Sequence, residues 1–312
     1  MISYYKTVDG HMQQTESYEK GCWINVCAPD ENELRYLTEQ HDIPPEYLRS
    51  ALDEEESSHL ETEDGQTLII VDVPYAEKAD DSITYATMPI GIMLTERDLI
   101  TVSLKDNPTI MEMADGVVKN ANTALRTQFV LYLLLRIAMR FQQYLKQIDK
   151  RSSFTEIELR KSMRNKELIQ LLDLEKSLVY FQTSLKSNEI TMEKMMRSRS
   201  IKLYEEDEDL LEDVLVEIKQ AIEMTNIYLS ILSGTMDAFA SVISNNLNIV
   251  MKMLASITIV MAIPTMIFSF FGMNIGEAAG GLPLAWNVWI PLAIALAATV
   301  VTGIVLYKKD MF

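Results

Sequence analysis

Met253 to Phe271 is a run of nineteen residues without a charge. At 1.5 Å of rise per helical residue, that length crosses a hydrocarbon layer of about 30 Å. A soluble core helix rarely needs so long an uncharged stretch, so the sequence predicts a membrane span. The run is not uniformly apolar. Thr258, Ala262, Thr265 and Ser269 recur at alternating four- and three-residue steps, which puts small or hydroxylated side chains on one helical face. Upstream the face continues as Asp237, Ser241, Ser244, Asn248, Met251 and Ala255. A row spaced in this way over several heptads stays in register only if helices supercoil left-handedly about a common axis. Inside the span alone, close helix approach through small residues explains the pattern as well as a pore does. The polar extension through Asp237 and Asn248 favours a water-filled path.

A second stripe runs beside this row. Leu211, Leu215, Ile218, Ile222, Thr225, Leu229, Leu232, Met236, Phe239 and Ile243 repeat with the same period, displaced by one residue or about 100°. One helix, expected from near Glu205 to Phe271, would then pack on neighbours through an apolar face and turn a polar face to an axis. At 1.5 Å per residue it would span roughly 100 Å. Such a helix asks for copies of itself. A second span is expected over 288–307, with Trp286 and Trp289 at headgroup level and Tyr307-Lys308-Lys309 closing it. Lys252, Lys308 and Lys309 flank the two spans on one side, and the connecting loop has no lysine or arginine. The positive-inside rule places both termini in the cytoplasm.

The first span closes on Gly272-Met273-Asn274. Glycine commonly ends a helix in a left-handed turn, and asparagine offers an amide oxygen. With this tripeptide at the outer end of the first of two spans, near the C-terminus of an acidic chain, the sequence resembles the CorA family of divalent-cation channels. The resemblance extends to Pro264-Thr265, to Asn248-x-x-Met251-Lys252, and to Asp237 eleven residues before Asn248. Phe271 keeps the aromatic that precedes the family's glycine but lacks the usual tyrosine hydroxyl.

Composition sets the remaining bounds. The 312 residues carry a net charge of −17, which argues against nucleic acid or an anionic membrane surface as partner and for cations. Cys22 and Cys27 are expected to be buried, reduced thiols rather than a metal site or a disulfide. No cleaved targeting segment is visible at the start. His11, His41 and His59 are scattered and expected to be superficial. No phosphate loop, nucleophile elbow or paired-histidine motif occurs, so no enzyme is expected.

Strands are expected at 22–27, 68–73, 88–94 and 99–104, with a helix capped by Asp30 and another opened by Pro45. Between Gly116 and Gly234 there is neither glycine nor proline, so helix breaks are expected at polar turns, Ser152-Ser153 and 197–209. The fold class expected is an α+β cytoplasmic domain with a long helical stalk and a two-span transmembrane α-hairpin, an α-rich membrane protein. In chain order this gives an α/β domain (1–115), an antiparallel long-helix hairpin (116–204), the cytoplasmic part of the stalk (205–252), the first span with its tripeptide (253–274), an extracytoplasmic loop (275–287), the second span (288–307) and a basic cytoplasmic tail (308–312).

Mg²⁺ is a hard ion that gives up water reluctantly, so a channel for it should meet hydrated ions with neutral oxygens. The resemblance implies a selectivity filter of Gly272, Met273 and Asn274 in a homopentamer of the cell or inner membrane. Glu277 would enrich cations at the mouth; Met251 with Leu254 suit interface packing as well as a constriction by spacing alone, and the resemblance makes them a hydrophobic gate. Ala262 stands where a methionine often narrows the pore, and Pro264 frees a carbonyl one turn back that is expected to face the pore. Glu205 to Asp213 holds seven carboxylates in nine residues, mostly a solvated, dipole-favoured helix start. Asp213 alone matches the stalk half of the family's regulatory metal site. The acids expected on the other half are replaced, with Arg49-Ser50 after the second helix's leucine and Ser58-His59 where an Arg-Pro-Lys-like stretch is usual. The function expected is divalent-cation passage, chiefly Mg²⁺ uptake with Co²⁺ or Ni²⁺ as secondary passengers. Mg²⁺ serves as substrate and regulatory ligand, and there is no organic cofactor. The rivals are a Zn²⁺ transporter of the same superfamily, which the methionine of the tripeptide disfavours, and a membrane-anchored coiled-coil scaffold without a pore.

Overall fold

Leu68-Ile69-Ile70-Val71 is apolar at consecutive positions, which suits a strand only when both of its faces are covered. The structure, a computed structural model that describes residues 1–79, 82–162, 165–198, 201, 203–273, 289–309 and 311, supplies both covers. It divides into two compact units, 1–234 and 235–312.

The first unit is built on a seven-stranded sheet. In chain order the strands are β1 (Ile2–Val8), β2 (His11–Thr15), β3 (Trp23–Cys27), β4 (His59–Glu63), β5 (Gln66–Ala79), β6 (Ser82–Leu94) and β7 (Leu99–Ser103), and in space they run β2-β1-β3-β7-β6-β5-β4. Among the described residues, only β3 and β7 pair in parallel. Two tight hairpins rest on Asp-Gly turns. Asp9-Gly10 joins β1 to β2 and Asp64-Gly65 joins β4 to β5, each with both residues at positive φ, the turn whose twist matches the strands it connects.

One sheet face is covered by α1 (Glu31–His41) and α2 (Pro45–Ala51). Asp30 caps α1 through a reciprocal box with Glu33, and Pro45 opens α2. Leu37, Tyr47, Leu48 and Ala51 pack there with Ile24, Leu68, Ile70 and Val102. Gly91 of β6 lets α2 sit close, since a Cβ at that position would lie 2.4 Å from the Ala51 Cβ. Across the sheet, beyond the short α3 (Pro108–Ala114), lie α4 (Arg126–Ser162), α5 (Asn165–Arg197) and the first part of α6 (Glu205–Phe271). Val71 meets Leu134, Phe141, Met192 and Ile218 on that side.

α5 is fixed to β5 by Asn188, which is 2% exposed. Its Nδ2 donates to the Asp72 carbonyl at 2.9 Å, while its Oδ1 accepts from the Asp72 N–H at 2.9 Å and from Ser58 Oγ at 2.7 Å. In the apolar stripe of α6, Leu211, Leu215, Ile218, Ile222, Thr225, Leu232 and Phe239 are buried, and Leu229, Met236 and Ile243 are partly so. α4 does not break at Ser152-Ser153. Ser152 Oγ bonds back to the Asp149 carbonyl at 2.9 Å and the helix continues to Ser162, because a serine can satisfy its hydroxyl on its own helix.

His41 is not superficial. It is 8% exposed, with Nδ1 2.8 Å from Asp98 Oδ2, and the Tyr18 hydroxyl donates to the other Asp98 oxygen at 2.7 Å. Cys22 is buried and Cys27 half-buried, both as free thiols. Burial raises both, Cys27 to about 11, so neither is ionised or reactive near neutral pH.

In the second unit α6 continues to Phe271, and α7 (Trp289–Lys308) follows. Both helices contain a stretch long and apolar enough to cross a membrane.

Candidate functional site

Asp237, Ser241, Ser244, Asn248, Met251, Ala255, Thr258, Ala262 and Thr265 lie on a single helix, and every one is exposed. Leu254, beside the row, is exposed as well. The opposite side of α6 is covered. Ser256, two residues before Thr258 and so about 200° from it round the helix, is fully buried, its Oγ donating to the Met311 carbonyl at 2.7 Å. Val260, Ile263, Pro264, Ile267 and Phe271, on that same side, are all partly covered. Inside the second unit, then, α6 is covered along one narrow side from Ser256 to Phe271, and the uncovered remainder holds the polar row together with Ile257, Ile259, Met261, Met266, Phe268 and Phe270; from Ser244 to Ala255 every residue is exposed.

Within the span the polar row borders a shallow open groove, lined by Ile257, Thr258, Met261, Ala262, Thr265, Met266 and Ser269. Thr258 Oγ1 donates to the Leu254 carbonyl at 2.8 Å and Thr265 Oγ1 to the Met261 carbonyl at 3.1 Å. These bonds occupy each hydroxyl proton and leave the oxygen's lone pairs to accept from water. A hydrated cation turns its water protons outward, so the groove presents the neutral acceptors such an ion meets well.

Pro264 does not serve this groove. The carbonyl its missing N–H leaves unpaired is that of Val260, four residues back, and both residues lie on the covered side. Gly272 ends α6 without the left-handed conformation expected of it. Its N–H bonds to the Phe268 carbonyl at 2.9 Å, and a Cβ would stand 3.2 Å from that oxygen. The position favours glycine for close approach rather than for a positive φ. Met273 follows exposed; Asn274 and Glu277 lie outside the described residues.

Asp213 lies in the first unit, exposed on α6. Among the described residues no three His, Cys, Asp or Glu side chains come together as a metal site. Of the acids that open α6, Asp207 is the buried one. Its carboxylate accepts the Tyr204 N–H at 3.1 Å and closes the first turn.

The family model described as "CorA-like Mg2+ transporter protein" matches residues 18–308. The chain belongs to this CorA-like family. It is 27% identical to the cobalt/magnesium transport protein CorA of Methanocaldococcus jannaschii over 280 residues, covering 87% of this chain and 85% of that one. The complete structure of the CorA magnesium transporter from the same organism superposes with a TM-score of 0.81 at 23% identity, covering 99% of this chain and 96% of that one. The cytoplasmic domain of ZntB from Vibrio parahaemolyticus shares the fold at a TM-score of 0.59 and 13% identity, over 79% of this chain and 97% of that one. The CorA-like chain is thus a membrane-embedded divalent-cation transporter and not an enzyme.

Proposed function

We propose that this chain is the repeating subunit of a homo-oligomeric channel that passes Mg²⁺ into the cell, with Co²⁺ or Ni²⁺ as lesser passengers. The observation that carries the reading is the polar row of α6, uncovered at every position from Asp237 to Thr265 and running without a break into the apolar stretch. Two spans cannot enclose a path, so the open row requires other copies around an axis. Homopentamers follow from the family resemblance. Asn274 amides form the outer collar and meet the ion through its water shell, with Glu277 raising the local cation concentration. Met251 and Leu254 close the path as a ring that water leaves when it narrows. Both termini face the cytoplasm, on the side of Lys252, Lys308 and Lys309. Asp213 is the residue through which cytoplasmic Mg²⁺ acts, and with Arg49-Ser50 in place of acids its hold on the ion is weak.

Reconstituted liposomes carrying a Mg²⁺-sensitive dye test the reading. Wild-type chain is expected to admit Mg²⁺, and Asn274→Ala to lower the flux at least tenfold. No flux in wild type leaves a scaffold without a pore. Faster Zn²⁺ than Mg²⁺ entry in the same vesicles makes the chain a Zn²⁺ carrier.

A further inference from the structure

In the first unit, α4 and α5 touch where the Phe141 and Phe181 rings meet at 5.1 Å. Toward their connection they border, with Ile83 of β6, a cavity of about 510 Å³, within the range of pockets that hold small organic ligands. Its walls carry charges of both signs: Lys150, Arg151 and Glu158 from α4 and Asp173 from α5. Among the described residues none of these four takes part in an ion pair, although the neighbouring Arg160 closes onto Glu156 at 2.5 Å. Opposite charges that share a cavity without neutralising one another suit a ligand that carries both signs itself. Phe154 stands at the rim, 61% exposed, where its ring offers a face for a flat group to lie against.

Two carboxylates are too few to cage a metal ion, and no three potential ligands cluster among the described residues. Mg²⁺ does not need such a cage. It characteristically takes one or two protein carboxylates and completes its shell with phosphate oxygens and water. Lysine and arginine side by side on α4 are suited to the phosphates themselves. A bare polyphosphate would be repelled by Glu158 and Asp173, whereas one already holding Mg²⁺ would present its cation to them. We propose that this cavity binds a magnesium-chelated nucleoside polyphosphate, its phosphates on Lys150 and Arg151, its metal near Glu158 and Asp173, and its base against Phe154. The first unit would then respond to chelated Mg²⁺ through a site that no passing ion visits. The proposal rests on the cavity alone and does not depend on ion passage.

The test is titration of the detergent-solubilised full chain with a fluorescent ATP analogue, with and without Mg²⁺. Saturable binding in Mg²⁺ is expected, weakened at least tenfold by Lys150→Gln with Arg151→Gln. Asp173→Asn is expected to remove the advantage of Mg²⁺ over EDTA. Phe154→Ala should weaken competition by MgATP several-fold and leave competition by magnesium tripolyphosphate unchanged. All these side chains border solvent; thermal unfolding of each variant serves as the folding control, and Phe154→Ala provides a variant without any charge change. The proposal is overturned by any one of three results: no saturable binding at millimolar analogue, binding indifferent to the Lys150/Arg151 pair in folded protein, or equal affinity with Mg²⁺ and with EDTA.

Discussion

Asp72 and Asp98 are two enclosed carboxylates of the first unit whose acidities move in opposite directions. Burial raises both. At Asp98 the bonds from His41 and Tyr18, with Arg126 nearby, outweigh burial and hold the carboxyl below its usual value. At Asp72 burial meets only the Ser184 hydroxyl, so the carboxyl stays above it. The signs follow by linkage. The folded state binds fewer protons at Asp98 than the unfolded chain, so its stabilisation is present above the unfolded value of about 3.9 and fades as pH falls through the lower folded value. The folded state binds more protons at Asp72, so stability falls as pH rises from about 3.9 through the raised folded value. Asp98→Asn is therefore expected to cost stability at pH 7, a cost that shrinks as pH falls below about 3.9. Asp72→Asn should gain stability at pH 8 relative to pH 4. Urea melts at these pH values check both. Nothing in the sequence marks this pair of environments, because His41 is one of three scattered histidines and its partner Asp98 lies 57 positions away.

Helix and strand placement was legible wherever one element carries its own signal. Asp30 with Glu33 caps α1, Pro45 opens α2, and the α6 stripe buries at its predicted spacing. The Asp9-Gly10 and Asp64-Gly65 turns are equally local signals; they find β1, β2 and β4, which apolar runs alone miss because these strands are only partly buried. Ser152-Ser153 was misread because polarity does not stop a helix whose serine bonds its own backbone. The role expected for Pro264 fails on helical phase: four residues behind it lies the covered side of α6. Docking between elements is the least legible, and Asn188 shows why. Its amide takes the place of a neighbouring strand at Asp72, 116 positions away, and no periodicity encodes that. Asn188→Ala would strand the Asp72 N–H and carbonyl and the Ser58 hydroxyl. A loss of about 2–4 kcal/mol is expected, read as a lower urea midpoint with an unchanged slope.

At the scale of the whole molecule, the uncovered polar row of α6 is what assembly must resolve. The row was readable because spacing alone specifies which residues share a helical face; which way that face turns depends on copies that one chain does not contain. Two arrangements remain physically distinct. If the row lines a water-filled axis, thiols placed on it meet polar reagents; if it packs helix on helix or faces lipid, they do not. Thr258→Cys and Thr265→Cys are expected to give Mg²⁺ flux that a charged, membrane-impermeant methanethiosulfonate abolishes, since each modification puts a cation in the ion's way. Val260→Cys, about 200° from Thr258 on the covered side, should lose little. Wild type provides the control, because Cys22 is buried and Cys27 half-buried as protonated thiols. Block at 260 with sparing at 258 and 265 would reverse the assigned face. Block at none of the three in a conducting channel would take the ion path away from α6 altogether.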